Sequence, residues 1–387
     1  MKNFEFVNPT KILFGKGQIE NLPQEIPLGS KVLILYGGGS INKIGLLDKV
    51  KQVLKDYKIG EFGGIEPNPT YETLMKALEK IRKEKYNFLL AVGGGSVIDG
   101  VKFVAAATLF TAGEPCEILI KQLPITNALP FGTILTMSGT GSEMDSEAVI
   151  SIKSEEAKIP FHSAAIFPRF SVLDPLYTYS VPMKQISNGI VDTFVHVIEQ
   201  YLTYPVNAKI QDRLAEGILL TLIEEGPKAL ANPTDYAIRS NLMWASTMAM
   251  NGLIGSGVPQ DWSTHMVGHG ITALYGLDHG QTLAIVLPAM LEVQKTEKRD
   301  KLLQYADRIW RIKGVSPDDG ITIAIRKTRE FFEAVGVPTR LSSYGLDRET
   351  IPNVVKTLEP LEALQIKLGE NGTLTLEKVK KVLQLAL

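Results

Sequence analysis

Phe88-Leu-Leu-Ala-Val92, Gly93-Gly94-Gly95-Ser96 and Val97-Ile-Asp-Gly-Val101 follow one another directly in this chain of 387 residues. The first segment is a continuous apolar run of the kind found in buried parallel strands. The three glycines form a turn without side-chain bulk, and a helix is predicted through the apolar residues from Val101 to Ala107. Strand, glycine loop and helix together predict one unit of an α/β fold.

The same order of elements occurs earlier in the chain. Lys31-Val-Leu-Ile-Leu-Tyr36 precedes Gly37-Gly38-Gly39-Ser40, and an amphipathic stretch follows. Further strands are predicted at 59–62 and 131–135, with a helix at 71–85 between them. At the start of the chain, segments 4–7 and 11–14 around Asn8-Pro9 predict a β-hairpin. Alternating strands and helices indicate a parallel sheet covered by helices.

Beyond about Pro182 the sequence changes to long helical patterns. The pattern from Gln211 to Glu225 predicts a helix that ends at Gly226-Pro227, and further helices are predicted at 236–253, 281–293, 301–312 and 321–334. We therefore predict an α/β domain with a parallel sheet over residues 1–179 and an all-α domain over residues 180–387.

Composition excludes several classes of protein. Lys+Arg 41 against Asp+Glu 42 gives a net charge of -1, so the chain has no electrostatic footprint for nucleic acid or an anionic membrane. A single cysteine, Cys116, excludes an intramolecular disulfide framework and a cysteine-based zinc site. The first residues contain no apolar signal segment, and the longest apolar run, 88–110, carries Asp99 and Lys102. We expect a cytoplasmic protein without a membrane span.

Four of the five histidines fall in two short stretches, Asp192-Thr-Phe-Val-His196 and Asp261–Gly280. On a helix, residues four apart share a face, so Asp192 with His196 and His265 with His269 would each present two donors from one surface. His279 lies between Asp278 and Gly280, where we expect a helix to end. Imidazole is the commonest metal ligand. Two such pairs and a third element, flanked by apolar residues, predict a buried metal site; spacing alone leaves His265 and His269 equal candidates.

The glycine loops predict a phosphate site. Backbone N–H groups at a glycine turn that opens a helix can bind phosphate, helped by the helix N-terminus. Gly93, Gly94 and Gly95 let a diphosphate approach the main chain, and Ser96 is expected to cap the helix. A third glycine-bearing turn spans Thr136 to Glu143. One loop of this kind is weak evidence, but two after successive buried strands predict a dinucleotide.

The first loop also bears on the choice between NAD and NADP. An NAD-selective site usually places an acid about 20 residues after the glycines, and Glu61 is the one candidate near that distance. The loop itself has no acid, whereas Ser40 and Lys43 could receive a 2′-phosphate. The sequence favours NADP.

No lysine or arginine occurs between Asn241 and Gln294, the window that holds three of the site histidines. A phosphate or carboxylate on a substrate normally requires Arg or Lys partners. The window therefore favours a small, neutral, rather apolar substrate, although Arg239 or the other domain could supply a cation.

Together these motifs resemble the iron-containing (group III) alcohol dehydrogenase family over essentially the whole chain. The resemblance is carried by Asp192-x-x-x-His196, His265-x-x-x-His269, His279, the Gly93–Asp99 segment and Gly139-Thr140-Gly141-Ser142-Glu143. The chain looks most similar to the branch of NADPH-dependent aldehyde reductases and butanol dehydrogenases.

The resemblance implies an N-terminal dinucleotide-binding α/β domain, a C-terminal helical domain and a divalent metal in the cleft between them. It implies that Asp192, His196, His265 and His279 are the metal ligands, and that His269 lies near the substrate without binding metal. It also implies a cofactor site made of Gly37, Gly38, Gly39, Ser40, Asn68, Gly93, Gly94, Gly95, Ser96, Asp99, Thr136, Ser138, Thr140 and Lys158. A homodimer is expected.

Two positions depart from the family pattern. Many relatives carry an acid in the first loop that selects NAD, whereas this chain has Gly38 there, which again favours NADP(H). Thr136-Met137-Ser138 differs from the frequent Thr-Thr-Ala, and Asp145 replaces a frequent threonine. These departures concern the contacts on the nicotinamide side.

The resulting hypothesis is a metal-dependent NADP(H) oxidoreductase that interconverts aldehydes and primary alcohols, with Zn²⁺ or Fe²⁺ as the metal. Its partner is a small neutral aldehyde or primary alcohol. A first alternative is a metal-dependent lyase similar to dehydroquinate synthase, which needs cations near the metal for its phosphorylated, carboxylated substrate. A second is a non-catalytic nucleotide-binding protein, although a buried aspartate and three histidines are costly without a metal.

Overall fold

The computed structural model describes residues 1–155, 157–363 and 367–387, with the side chains of all of these except 360–363. They form two compact units. The α/β unit comprises Val7–Pro182 and Thr234–Met243, and the helical unit comprises Met1–Phe6, Met183–Pro233 and Trp244–Leu387. The domain limits predicted from the sequence, 1–179 and 180–387, stay a prediction.

Within its described residues, the α/β unit contains eight strands and six α-helices before residue 182. The strands are β1 (Lys11–Phe14), β2 (Lys31–Tyr36), β3 (Lys58–Phe62), β4 (Phe88–Gly93), β5 (Phe131–Leu135), β6 (Glu147–Ile152), β7 (Ala157–His162) and β8 (Phe170–Leu173). The helices are α1 (Leu22–Glu25), α2 (Ser40–Lys43), α3 (Leu46–Val53), α4 (Tyr71–Glu84), α5 (Gly95–Leu109) and α6 (Cys116–Ile120).

Six of these strands form one sheet in the order β1-β8-β5-β4-β2-β3, and all pairs are parallel. The predicted parallel sheet is confirmed. The predicted hairpin at the start of the chain is wrong, because residues 4–7 form no strand and β1 pairs in parallel with β8, Lys11 opposite Phe170. Strands β6 and β7 form a separate antiparallel pair, which the sequence did not indicate.

Alternating side chains of the central strands fill a core on each face of the sheet. Val32 and Ile34 of β2 pack with residues of α1 and α3, whereas Leu33 and Leu35 pack with residues of α4 and α5. Because both faces are covered, the strands read as continuous apolar runs rather than as alternating patterns.

The helical unit is built from long helices that pack on one another. They are α7 (Met183–Tyr201), α8 (Lys209–Ala231), α9 (Tyr236–Met250), α10 (Ser263–Tyr275), α11 (His279–Val293), α12 (Arg299–Arg308), α13 (Pro317–Ala334), α14 (Thr350–Ala363) and α15 (Leu376–Leu385). Residues 236–243 of α9 belong to the α/β unit. The predicted all-α half is confirmed. Among the described helices, none combines the length and the apolar character that crossing a bilayer requires.

Helix α8 continues through Gly226-Pro227, so the predicted end at that dipeptide is wrong. Gly226 is a packing residue: a Cβ there would lie 3.3 Å from side-chain carbons of Ile190 on α7 and of Val335, which directly follows α13. The glycine therefore marks a close approach of helices rather than a helix terminus.

Candidate functional site

Helix α7 presents three ionisable side chains along one face. Asp192, His196 and Glu199 stand at positions i, i+4 and i+7, which fall on the same side of an α-helix. All three are buried in the helical unit. The first two were predicted from the sequence. Glu199 was missed, although its spacing from Asp192 and His196 was the signal that could have found it.

Helices α10 and α11 supply the remaining histidines. His265 lies in the first turn of α10, and His269 lies one turn further along. Helix α10 ends at Tyr275 with Gly276 in the left-handed region, and His279 is the first residue of α11. The expectation that a helix ends at His279 is therefore wrong: α10 has ended four residues earlier, at Tyr275, and Asp278 caps the next helix.

Four side chains converge around the Asp192 carboxylate. Its Oδ1 lies 3.5 Å from Nε2 of His196, 3.9 Å from Nε2 of His265 and 3.5 Å from Nε2 of His279. One donor atom from each of the four residues lies within 4.8 Å of the other three. Asp192, His196 and His265 are buried, and His279 is half-buried.

This arrangement fits a divalent metal. Ligand atoms about 2.1 Å from a tetrahedral ion stand roughly 3.4 Å apart, close to the separations observed around Asp192. The Oδ1 of Asp192 is buried and accepts no hydrogen bond from the described residues, which is costly for a carboxylate unless a cation binds it. One carboxylate and three imidazoles suit Zn²⁺ and Fe²⁺ alike.

Glu199 binds both the main chain and the ring of His265. One carboxylate oxygen accepts a hydrogen bond from the amide of Thr264 at 2.5 Å, and the other accepts from the amide of His265 at 3.3 Å. The second oxygen also pairs with the ring Nδ1 of His265. Burial, together with the neighbouring Asp261 carboxylate, raises the pKa of Glu199 to about 8. Glu199 thus caps the N-terminus of α10 and orients the His265 ring.

Asp278 fixes the place of His279. It forms a capping box with Gln281 at the start of α11, and its carboxylate binds the side chains of Lys184 at 2.8 Å, Asn188 at 3.1 Å and Gln185 at 3.3 Å, all on α7. The first turn of α11 is therefore attached to the helix that carries Asp192 and His196.

His269 lies beside the cluster without belonging to it. Its ring centroid is 5.3 Å from that of His279 and 6.3 Å from that of His265. His269 is not one of the four residues whose donor atoms lie within 4.8 Å of one another. This geometry separates His265 from His269, which the spacing in the sequence could not do.

In the α/β unit, the three glycine-bearing loops follow neighbouring strands. The first comes after β2, the second after β4 and the third after β5, and these strands are adjacent in the sheet. Tyr36 is opposite Val92, and Gly93 is opposite Leu135, so the three loops leave the same edge. The chain turns to opposite sides of β2 to reach β3 and β4, and the carboxyl edge at such a switch point is where α/β sheets bind ligands.

The second loop is packed closely against the third. A Cβ on Gly95 would lie 2.3 Å from Oγ1 of Thr140, and one on Gly94 would lie 3.1 Å from Cβ of Met137. Gly94 is the N-cap of α5 and no side chain caps it there. The expectation that Ser96 caps this helix is wrong: Ser96 lies within the helix, and its Oγ accepts a hydrogen bond from the amide of Asn68 at 3.3 Å.

Asp99 and Asp145 both bind protein groups. Asp99 accepts hydrogen bonds from Oγ of Ser142 at 2.6 Å and from the amide of Val149 at 3.0 Å. Burial raises the pKa of Asp99 to about 6. Asp145 forms an ion pair at 2.5 Å with Lys102, whose side chain is fully buried. The departure from the family pattern at Asp145 therefore supplies the counter-ion of a buried lysine.

The other predicted cofactor residues include some in the loops after β2 and β5, whereas Lys158 lies on the separate β6–β7 pair. Gly39 adopts a positive φ of 91°, whereas a Cβ on Gly38 would meet no atom within 4 Å. Ser40 begins α2, Thr136 and Ser138 follow β5, and Lys158 lies on β7. Glu61, the one acid at the spacing typical of NAD sites, forms an ion pair with Lys51 at 2.6 Å.

The comparison with known proteins agrees with this architecture. The model of the iron-containing alcohol dehydrogenase family matches residues 9–175, and the model of the C-terminal domain of the Fe-containing alcohol dehydrogenase family matches residues 186–387. The chain is 56% identical to the NADPH-dependent aldehyde reductase YqhD of Escherichia coli (strain K12), with 100% of both chains covered. It is 38% identical to the probable NADH-dependent butanol dehydrogenase 1 of Bacillus subtilis (strain 168), with 92% of each covered.

The fold is also that of a solved relative. The crystal structure of YqhD from E. coli K-12 superposes with a TM-score of 0.98 at 55% identity, covering 100% of this chain and 99% of that one. The chain belongs to the iron-containing alcohol dehydrogenase family.

Proposed function

We propose that this protein is a divalent-metal-dependent NADP(H) oxidoreductase that interconverts aldehydes and primary alcohols. The observation that carries the proposal is the convergence of Asp192, His196, His265 and His279, with one donor atom from each within 4.8 Å of the others. Its similarity over the full length to an NADPH-dependent aldehyde reductase supports the same reaction.

Different side chains have different roles in this reaction. Asp192, His196, His265 and His279 hold the metal, and Glu199 keeps the His265 ring oriented. When bound, the metal supplies a Lewis acid for the substrate oxygen and NADPH supplies the hydride. His269, with its ring centroid 5.3 Å from that of His279, delivers the proton that the alcohol product needs at its oxygen.

The glycine loops bind the cofactor in this proposal. The amides of Gly93–Gly95 and the N-terminus of α5 face the diphosphate, and Gly37, Gly39, Ser40, Asn68, Asp99, Thr136, Ser138, Thr140 and Lys158 complete the site. The open space around Gly38 and the hydroxyl of Ser40 accommodate the 2′-phosphate of NADP(H). Among relatives, one is named for NADPH and another for NADH, so the first loop must be tested directly.

The substrate is proposed to be small and neutral. No lysine or arginine occurs between Asn241 and Gln294, and the cations that flank this window are engaged. Arg239 is buried and donates to Thr178 at 2.9 and 3.0 Å, and Lys295 pairs with Glu292 at 2.5 Å. The half-buried Trp262 packs edge-on against the ring of His265, with centroids 5.3 Å apart, and adds apolar surface beside the metal ligands. These features disfavour the lyase alternative.

Steady-state kinetics tests the proposal. Protein loaded separately with Zn²⁺ and with Fe²⁺ is assayed on a panel of aldehydes from butanal to longer chains and glyoxal-type carbonyls, with NADPH and NADH compared. We expect aldehyde reduction that depends on the metal and is faster with NADPH. The absence of reduction with either metal would overturn the proposed function, and equal rates with both cofactors would overturn the assignment of the first loop.

We also propose a homodimer. Several apolar side chains at the start of the chain are exposed, among them Phe4 at 50% and Val7 at 65%, and exposed apolar groups favour association. Light scattering coupled to size-exclusion chromatography is expected to give twice the mass of one chain, and the mass of a single chain would contradict this.

A further inference from the structure

Lys298 is a buried cation outside the proposed metal site. It directly precedes α12, and its side chain is 3% exposed. The ammonium donates to the carbonyl of Leu202 at 2.7 Å, to Oδ2 of Asp261 at 2.8 Å and to the carboxylate of Glu370 at 2.9 Å. An ammonium has three N–H donors, and each has an acceptor here.

These three acceptors belong to separate parts of the helical unit. Leu202 directly follows α7, which carries Asp192 and His196. Asp261 lies two residues before α10, which carries His265. Glu370 lies in the segment between residue 367 and the start of α15. One side chain therefore joins the two helices that provide three of the four proposed ligands.

Asp261 transmits this contact to the first turn of α10. Its main-chain amide donates to the carbonyl of Glu199 at 2.9 Å, and its Oδ1 accepts from the amide of Ser263 at 3.0 Å. The next amides of the turn, those of Thr264 and His265, are bound by the Glu199 carboxylate. The backbone on which His265 stands is thus held from two sides, by Glu199 and by the Asp261–Lys298 pair.

The buried carboxylates around Lys298 need a cation to compensate their charge. Asp261, Glu370 and Glu199 are three buried carboxyl groups within one neighbourhood. Burial would raise the pKa of Asp261, but Lys298 lowers it below its ordinary value. Burial opposes the charge on Lys298, but Asp261 and Glu370 raise its pKa. Removing the ammonium would leave buried carboxylates uncompensated and would release the segment that precedes α10.

We infer that Lys298 is a positioning residue of the metal centre, which acts through Asp261 to fix the first turn of α10 and with it the place of His265 relative to Asp192 and His196. This inference rests on the proposed metal-dependent function. Groups that orient metal ligands from outside the ligand set typically change metal affinity by 10–100-fold when they are removed. Glu199 binds His265 directly, whereas Lys298 binds Asp261, which in turn binds the backbone of the first turn of α10.

Lys301, in the first turn of α12, offers a matched control. Its side chain is 8% exposed, and its ammonium pairs with Asp212 on α8 at 2.5 Å and lies 4.3 Å from the centroid of the Tyr201 ring. It is therefore also a buried, ion-paired lysine, but its partners lie on α7 and α8 and not before α10. Lys298→Met and Lys301→Met remove the same charge from comparable surroundings.

The test measures metal binding rather than turnover. Wild type, Lys298→Met and Lys301→Met are stripped with a chelator, checked by circular dichroism and thermal unfolding, and titrated with Zn²⁺ and Co²⁺ against a competing chelator. We expect the Zn²⁺ dissociation constant of Lys298→Met to rise at least tenfold and its Co²⁺ absorption band to change, while Lys301→Met stays within twofold of wild type with an unchanged band.

Asp261→Asn provides a second variant, because it keeps an acceptor for Ser263 and removes only the charge that binds Lys298. If Lys298→Met does not fold, Asp261→Asn decides alone, with the same expected direction. A folded variant that binds Zn²⁺ as tightly as wild type, with the same Co²⁺ band, overturns the inference. An equal loss in Lys301→Met also overturns it, because the effect would then be general destabilisation. If wild type itself binds neither ion, the proposed metal-dependent function fails first, and the two failures are thereby distinguished.

Discussion

The carboxylate of Glu199 on α7 binds both the ring Nδ1 and the main-chain amide of His265 on α10. A histidine that donates Nδ1–H to a carboxylate keeps its lone pair on Nε2, and in this protein Nε2 is the atom that faces Asp192, at 3.9 Å. One side chain thus sets the tautomer, the ring orientation and the backbone position of a proposed ligand.

Replacing Glu199 by Gln is expected to weaken metal binding by about 10–100-fold. Glutamine can still accept a hydrogen bond from the amide of Thr264, so α10 keeps part of its cap, but it has lost the second oxygen, which binds the amide and the ring Nδ1 of His265. The measurement is the Zn²⁺ dissociation constant from chelator competition, together with metal content after dialysis.

Glu216→Gln is the control for this variant. Glu216 is a buried carboxylate on α8 that pairs with Arg213 and Arg308, each at 2.7 Å, and with the hydroxyl of Tyr201. Its loss is expected to lower thermal stability without changing metal affinity. Equal metal affinity in Glu199→Gln and wild type would show that Glu199 does not orient His265.

The sequence predicted the proposed ligands better than the groups that support them. Asp192 and His196 are four residues apart on one helix, a local relationship that periodicity reveals. Glu199 shares that helix face and was still missed, because a carboxylate without a known partner is usually interpreted as solvated. The roles of Asp278 and Lys298 could not be predicted from the sequence, because they depend on which helices pack together. Helix packing is determined by contacts between residues that are distant in the sequence.

For the fold as well, local patterns were predicted and long-range contacts were not. Continuous apolar runs before glycine loops predicted the parallel sheet, because strands buried on both faces leave that local pattern. Asn8-Pro9 and Gly226-Pro227 led to two wrong predictions, a hairpin and a helix end, because tertiary contacts override the local preference of these residues. β1 pairs with β8, and Gly226 allows close contact with neighbouring helices. The β6–β7 hairpin was missed, and Asp99, which binds the amide of Val149 on β6, received only a cofactor role.

His269→Ala is expected to separate proton transfer from metal binding. Because His269 lies outside the group of four mutually close donors, the variant should retain the metal with wild-type affinity. Its kcat for aldehyde reduction is expected to fall by about 100-fold or more, the usual contribution of general acid–base catalysis. Metal analysis and steady-state kinetics on the same preparation check both statements. Loss of metal from His269→Ala but not from His265→Ala would reverse the two assignments.

Gly38→Asp is expected to move cofactor preference from NADPH towards NADH. A Cβ at this position meets no atom within 4 Å, so the side chain fits without displacing the loop. A carboxylate there repels the 2′-phosphate and can accept a hydrogen bond from a free 2′-hydroxyl. We expect the ratio of kcat/KM for NADPH over NADH to fall at least tenfold.

Gly38→Asn is the neutral control of nearly the same size. It is expected to lower the ratio much less, because only the charge distinguishes the two variants. If Asp and Asn change the ratio equally, the effect is steric, and the role proposed for the first loop is wrong.

Asp99 links the stability of the α/β unit to pH. Its carboxyl is held by Ser142 and Val149, and burial raises its pKa from 3.8 to about 6 even though the nearby Lys102 lowers it. Asp145 raises it as well. Between pH 4 and pH 6 the folded protein therefore keeps a proton that the unfolded chain has lost. Because the folded state binds more protons, this group makes the free energy of unfolding decrease as pH rises through that window, and its effect is constant above it.

Asp99→Asn removes this dependence and can preserve both hydrogen bonds, since its amide donates to Oγ of Ser142 and its carbonyl accepts from Val149. The free energy of unfolding of the variant minus that of wild type is expected to increase from pH 4 to pH 6, by at most about 1.4 kcal/mol per pH unit, and to level off above pH 6. Taking the difference between the two proteins cancels the contributions of groups that titrate alike in both. Urea unfolding at half-unit pH intervals measures it, and parallel curves across the window would mean that Asp99 is ionised throughout, with its charge stabilised by Lys102.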